Sequence, residues 1–247
     1  MLPRFYVPDL DPQVPSAALP ADEARHLTRV LRLGEGAEIA IFDGRGHEFR
    51  ARVAAAARER VQVALMERLV PAPEARVPLV LVQAVLKGDK MDDVVRDATM
   101  MGIAAIEPIV TARTIGRGRA LENGRAAERW GRIAVSSVKQ CRRATVPAVG
   151  PGRPFSDWLA IGGPGLRLLL VEPPASAGTE QSLHFLEDHA PGAMSLVVGP
   201  EGGWTSEERQ QAEAQGCIPV TLGALTLRAD AIALVAIAIV RFAMRDL

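Results

Sequence analysis

The sequence predicts a two-part α/β protein: a small, mostly β barrel over residues 1–72, then a layered α/β domain with a mostly parallel sheet over residues 73–247. Three observations carry this. The first seventy residues hold strand-like runs around one short helical stretch, Pro71, Pro73 and Pro78 then interrupt any regular element, and beyond them strand-like and helix-like patterns alternate. With 48% apolar and 23% charged residues, the 247-residue chain can bury a core and does not match disordered, collagen-like or disulfide-stapled classes.

In the first part, Asp22 is placed to cap a helix whose apolar stripe is Leu27, Val30 and Leu31, and Gly34 to end it in a left-handed conformation. Arg25, Arg29 and Arg32 fall at i, i+4 and i+7, so on that helix they share a second face as a basic ridge. Strands follow at 37–42, 47–53 and 60–66, with Asp43-Gly44 supplying turn chemistry between the first two.

In the second part, residues 79–86 form an apolar strand-like run. Met91, Val94, Val95, Ala98 and Met101 then make a helical stripe closed by Gly102, and 103–110 is the next strand. A helix over 123–140 buries Trp130, Ile133, Ala134 and Ser137 and leaves Arg125, Arg129, Arg132 and Lys139 wet. Strands at 166–171, 195–198 and 218–221 complete the sheet. The last helix, about 230–245, is apolar almost all round, which calls for burial in the core or against a second subunit.

Lys plus Arg and Asp plus Glu both number 29, so net charge predicts neither a polyanionic ligand nor its absence. Its distribution is uneven: residues 73–150 carry thirteen basic against eight acidic side chains, and 151–247 six against eleven. Between 111 and 145, Arg113, Arg117, Arg119, Arg125, Arg129, Arg132, Lys139, Arg142 and Arg143 oppose only Glu122 and Glu128. That is either a phosphate-facing surface or a solvated helix face in a chain that uses Arg far more than Lys.

Cys141 and Cys217 stand apart without CxxC or ligand spacing, and His184 and His189 miss the i, i+4 metal pattern, so no metal site is expected. The longest apolar run, 231–240, is half of the about 20 residues that span a bilayer, and the N-terminal segment lacks a signal-peptide core. A soluble cytoplasmic protein is the expectation, with no membrane partner.

The chemistry concentrates near the C-terminus. A buried strand from Met194 leads into Gly199-Pro200-Glu201-Gly202-Gly203, followed by a helix opening at Thr205 with Glu208 three residues on as a capping box. Glycines at the carboxyl end of a strand let the backbone turn sharply and approach a ligand closely. The strand at 218–221 ends in a second tight loop at Leu222-Gly223, succeeded by Leu227-Arg228-Ala229-Asp230, and loops from successive strands can wall one pocket. Neither GxGxxG nor GxxxxGK[ST] is present, which speaks against a dinucleotide-dependent oxidoreductase and a nucleotide-phosphate cradle.

The run VVGPEGGWTSEE at 197–208, the downstream Leu222-Gly223 and the LRADA at 227–231 resemble the C-terminal signature of SPOUT-superfamily RNA methyltransferases. The match is closest to the family that methylates uridine N3 in small-subunit ribosomal RNA. HLTRVLR at 26–32, Phe42-Asp43-Gly44, KGDKMD at 87–92 and KQCRR at 139–143 match in the same order. The resemblance implies a PUA-like RNA-binding barrel before a SPOUT methyltransferase domain tied in a trefoil knot. It implies S-adenosyl-L-methionine as cofactor, bound in the knot at a homodimer interface, and one uridine of 16S ribosomal RNA in the small subunit as substrate. Where that family reads LRTETA, this chain has Ala229, Asp230, Ala231 and Ile232, which removes a hydroxyl and shortens the acid, and Lys139 stands where Glu is usual.

Methylating N3 of a uridine requires loss of its proton, so a carboxylate can serve as base and a cation can stabilise charge developing on the uracil oxygens. Arg228 is the candidate for orienting the uracil or a phosphate, the alternative being a salt bridge to Asp230 or a bond to a C-terminal carbonyl. Glu201 and Asp230 are candidate acid/base or cofactor contacts, or helix N-terminal caps. Backbone groups of Gly199, Gly203, Leu222, Gly223 and Leu227 are expected to hold the sulfonium, and Glu172 reaches the same pocket or is a solvated turn residue. The candidate RNA contacts are Arg25, Arg29, Arg32, Lys87, Lys90, Arg142 and Arg143, with His26 beside the ridge. A non-catalytic RNA-binding or assembly protein that keeps the fold is the alternative, and cofactor titration separates the two.

Overall fold

The computed structural model describes residues 2–57, 60–116, 124–173, 181–188 and 191–246, so Arg117, Arg119, Glu122 and His189 lie outside the described residues. It divides into two compact units, Met1–Glu74 with Val135–Val146, and Ala75–Ala134 with Pro147–Leu247. The end of a later helix, Val135–Val146, groups with the first unit.

The first unit is a five-stranded sheet in the order β1 (Arg4–Tyr6), β3 (Glu38–Phe42), β4 (Glu48–Ala57), β5 (Arg60–Leu69), β2 (Ser16–Ala18). β1 runs parallel to β3 and the other pairs are antiparallel. Alternation puts Ile39, Ile41, Ala51, Val53, Val61 and Val63 into a core with Phe5 and Leu27. Burying each larger side chain contributes about 1.5–3 kcal/mol relative to leaving it in water.

The short helix departs from the sequence expectation. α1 (Ala21–Arg25) continues into a π-helical turn, His26–Val30, closed by the Leu31 N–H on the His26 carbonyl at 3.0 Å. Widening the turn shifts the side chains that follow, so Leu27 is buried while Val30 is 66% exposed and Leu31 is exposed as well. Asp22 makes no side-chain cap, and Arg32, with φ +54, supplies the left-handed residue in place of Gly34. Arg25, Arg29 and Arg32 are all exposed, but the π turn and the left-handed Arg32 remove the common 3.6-residue face that their spacing suggested.

α3 (Arg125–Cys141) ends within the first unit, where Val138 and Ala144 pack with Phe42. Carbonyls at the end of a helix run out of intrahelical partners; the Val138 carbonyl still takes the Arg142 N–H at 3.2 Å, and Arg4 adds donors at this end of the helix. Its guanidinium donates to the carbonyls of Val138 (2.7 Å), Lys139 (3.2 Å) and Arg143 (2.6 Å), with Nε on Glu48 at 2.8 Å. Lys139 pairs with the buried Glu23, so the departure at that position neutralises a carboxylate that burial would otherwise leave costly.

The second unit is an all-parallel sheet in the order β11 (Gln181–Ser182), β13 (Ile218–Thr221), β10 (Leu166–Leu170), β12 (Met194–Val198), β6 (Leu79–Ala84), β7 (Ala105–Val110), β8 (Ala148–Val149), with β9 (Arg153–Pro154) also on β7. Every residue of β6 and β12 is buried, as strands covered on both faces require. Flanking helices are α2 (Lys90–Met100), α4 (Phe155–Ile161), α5 (Ser206–Ala214) and α6 (Ala229–Ala243). α2 buries Met91, Val94, Val95 and Ala98. α6 buries Ala233, Ala236, Ile237 and Val240 on one side and exposes Leu234, Val235, Ile239 and, at 75%, Phe242 on the other. Among the described residues no helix is long and apolar enough to cross a membrane, and no cluster could hold a metal ion.

Candidate active site

β13, β10 and β12 are neighbours in the sheet and all parallel, so the loops that leave their carboxyl ends emerge side by side. Such ends are where open α/β sheets bind ligands. The loops enclose a cavity of about 280 Å³. Its walls are Leu170–Pro173 after β10, Val198–Glu201 with Gly203 and Trp204 after β12, and Leu222 with Leu225–Ala229 after β13; Lys90 and Ile232 close it.

The glycine turn is held from three elements, one residue at a time. Glu201 accepts from the Lys90 ammonium at 2.9 Å and the Lys87 N–H at 3.2 Å. The Gly202 carbonyl accepts from Arg113 Nη1 at 2.8 Å. Gly203 has φ +69, and a Cβ there would sit 3.3 Å from Glu172 Oε1. Below the turn, the Trp204 indole donates to the Leu170 carbonyl at 2.8 Å and packs on Phe155 with ring centres 4.7 Å apart. The predicted capping box is present: the Glu208 N–H reaches Thr205 Oγ1 at 3.2 Å and the Thr205 N–H reaches Glu208 Oε2 at 3.0 Å. The other Glu208 oxygen takes the Ala112 N–H at 2.6 Å.

Burial tends to raise the Glu201 carboxyl, but the hydrogen bonds from Lys90, its own N–H and the Lys87 N–H, with the Lys90 charge, outweigh it and hold the group below the usual glutamate range. A carboxylate held this way is a fixed negative charge and a weak base. Asp230 is engaged with Arg228, whose Nε and Nη2 contact its two oxygens at 3.1 and 3.0 Å. The Arg228 guanidinium remains 73% exposed at the cavity wall.

Of the predicted site residues, Gly199, Gly203, Leu222, Leu227, Glu201, Arg228 and Lys90 line the cavity, and Gly223 and Asp230 adjoin lining residues. Lys90 is turned to Glu201, and Lys87 contributes its backbone N–H there, so both help build the turn. Arg25, Arg29, Arg32, Arg142 and Arg143 belong to the first unit. Arg142 is exposed, but the Arg143 side chain is 6% exposed and pairs with Glu74 at 2.6 Å, which corrects its assignment as an RNA contact: burial and the ion pair occupy the guanidinium. Glu172 does both things the sequence allows: it lines the cavity and it is exposed to solvent in the segment after β10. Sequence reasoning missed Leu170, Val171, Leu225 and Thr226 as lining residues, since they belong to no motif, and met Arg113 only as one charge in a basic run.

Residues 73–241 match the model of an RNA methyltransferase domain, and residues 19–66 that of an RNA methyltransferase PUA domain. The chain belongs to this RNA methyltransferase family. Ribosomal RNA small subunit methyltransferase E of Synechocystis is 32% identical over 229 residues, covering 90% of this chain and 72% of the relative. The enzyme of that name from Mycobacterium bovis is 29% identical, covering 94% and 88%. Among solved structures, the ribosomal RNA small subunit methyltransferase E of Neisseria gonorrhoeae bound to S-adenosyl methionine is similar with TM-score 0.86 and 31% identity, over 98% of each chain. The RNA methyltransferase assignment accounts for the β unit before the parallel sheet, and it puts the glycine turn inside the matched catalytic domain.

Proposed function

We propose that this protein is an S-adenosylmethionine-dependent methyltransferase that modifies N3 of a uridine in 16S ribosomal RNA. The observation that carries the reading is the cavity at the carboxyl ends of β10, β12 and β13, with a glycine turn on one wall and the carboxylates of Glu172 and Glu201 facing it. The residues fit that cofactor. Leu170, Val171, Leu222, Leu225 and Ile232 suit an adenine ring, the carboxylates suit a sulfonium and an ammonium, and a side chain at Gly203 would crowd Glu172. When bound, the cofactor supplies an electrophilic methyl group.

The chain's own residues do the rest by placement and charge. Backbone groups of Gly199, Gly203, Leu222, Gly223 and Leu227 hold the cofactor, and Glu201, kept ionised by Lys90, offsets its positive charge. Arg228, held by Asp230 and open to solvent, orients the uracil and stabilises charge on its oxygens as N3 loses its proton; Asp230 and Glu172 are the carboxylates within reach as base. Exposed Arg25, Arg29, Arg32 and Arg142 contact RNA phosphates. The exposed apolar side of α6, with Leu234, Val235, Ile239 and Phe242, supports a homodimer. The trefoil knot is what the family resemblance implies for this domain. This work belongs in the cytoplasm, on the small ribosomal subunit.

Mass mapping of 16S RNA from a strain lacking the gene, with and without the gene restored, tests the uridine assignment. One N3-methyluridine should disappear and return. If no modified uridine is lost, the assignment fails. Titration with S-adenosylmethionine tests the enzyme reading separately, because a binding-only relative of the same fold has no affinity for it.

A further inference from the structure

We propose that Arg113 is a positioning residue of the cofactor turn: by holding the Gly202 carbonyl it keeps the 199–203 backbone in the shape that receives the cofactor. This rests on the functional reading above. Arg113 follows β7, two strands away from the turn it touches, and it lies outside the cavity lining. Its Nη1 donates to the Gly202 carbonyl at 2.8 Å. Its stem lies flat on the same residue, with Cβ and Cδ 3.1 and 3.4 Å from the place a Gly202 Cβ would take.

The backbone carrying Arg113 is itself fixed on both sides. The Ala112 N–H is bonded to Glu208, which also caps α5, and the Thr111 N–H and hydroxyl meet the Thr114 hydroxyl at 3.0 Å in a buried pair. A charge-assisted bond from so anchored a donor fixes the orientation of the 202–203 peptide, next to the left-handed Gly203. Without it, the turn samples other peptide orientations and must be ordered when the ligand binds.

A role as an RNA phosphate contact suits Arg113 poorly. Glu172 and Arg113 both come near Gly203, with Glu172 Oε1 3.3 Å and Arg113 Nη1 3.9 Å from its notional Cβ. Glu207 is held below the usual glutamate range by its own N–H, the Thr205 hydroxyl and the Arg113 charge. Carboxylates around a guanidinium repel a phosphate while leaving a carbonyl clasp intact.

The test uses the full chain with Arg113→Ala and Arg113→Lys, S-adenosylmethionine calorimetry, and methyl-transfer kinetics on 16S RNA. R113A should bind the cofactor about 10-fold more weakly, raise its KM by a similar factor and leave kcat within about twofold. R113K keeps one donor for the carbonyl and should stay within about threefold of wild type. Amides of residues 199–205 should exchange faster in cofactor-free R113A than in cofactor-free wild type. Cofactor affinity of R113A within twofold of wild type, unchanged amide exchange, or R113K as weak as R113A would each overturn the proposal. A wild-type chain that binds no S-adenosylmethionine refutes the functional reading itself, a result distinct from any of these.

Discussion

Gly199→Ala probes how tightly the cofactor turn is packed on its floor. A Cβ at this position lies 3.0 Å from both Cε2 and Nε1 of Trp204, against the about 3.5–4.0 Å of an unstrained contact. The indole has little freedom to give way. Its N–H is bonded to the Leu170 carbonyl at 2.8 Å, and its ring rests on Phe155, which in turn stacks on Trp158 with planes 11° apart. Overpacking of this kind costs about 1–3 kcal/mol, and breaking the indole hydrogen bond adds about 1 kcal/mol. For a chain of this size that is a fall in Tm of roughly 5–12 °C. Because Trp204 and Gly199 both line the cavity, cofactor affinity should fall as well. Thermal unfolding and calorimetry of G199A measure the two effects, with Gly34→Ala as control, since nothing lies within 4 Å of a Cβ there. In a Trp204→Leu background the cost of G199A should shrink below about 1 kcal/mol, because the clashing atoms are gone. A G199A chain with wild-type Tm and affinity, or an equal penalty in both backgrounds, would refute the packing argument.

Three further outcomes are expected. Asp246 accepts N–H bonds from Arg76 and Val77 and pairs at 3.0 Å with Arg241, which is buried and also donates to the Val77 and Gly102 carbonyls; Asp246→Ala removes this carboxylate from the buried guanidinium and from both N–H groups and should cost about 3 kcal/mol in denaturant unfolding, the idea failing if the loss is under 1 kcal/mol. Burial pushes the Asp43 carboxyl up, but the His47 ring, the Arg45 and His47 N–H groups and the Arg45 charge outweigh it and hold it below its ordinary value of 3.8. That stability is present above about pH 4 and is lost as pH falls through the folded-state value, so acid titration of unfolding should show a component below pH 4 that Asp43→Asn removes; an unchanged profile contradicts it. Arg142→Ala should flatten the dependence of log RNA affinity on log salt by about 0.7–0.9, the contribution of one phosphate, whereas Arg143→Ala should lower stability; a salt slope moved by Arg143→Ala alone would reverse the assignment.

Much of the architecture was legible in the sequence because it follows local rules. Period-2 and period-3.6 patterns marked β3 to β7, α2 and the strands that carry the site, and Thr205 with Glu208 announced the start of α5. The GPEGG turn could be read as a ligand loop because its residue types limit what the backbone can do. The first helix was misread for an equally local reason with a nonlocal cause: its 3.6-residue stripe was plausible, but tertiary packing selected a π turn that buries Leu27 and sends Val30 and Leu31 to the surface.

By itself, then, the order of residues indicated the two-part plan, the alternation of strands and helices and the two glycine loops, since each shows in patterns a few residues long, whereas the strand pairing, which sets Met194 beside Leu79, is a product of the tertiary fold. Only the tertiary structure decided which charges are spent inside the protein. Arg143 on Glu74, Lys139 on Glu23, Lys90 on Glu201 and Arg113 on Gly202 join residues 69 to 116 positions apart. A charged side chain looks the same in the sequence whether it meets solvent or a buried partner. Its role is set by desolvation and by what the fold brings within 3 Å, and neither is a local property of the chain.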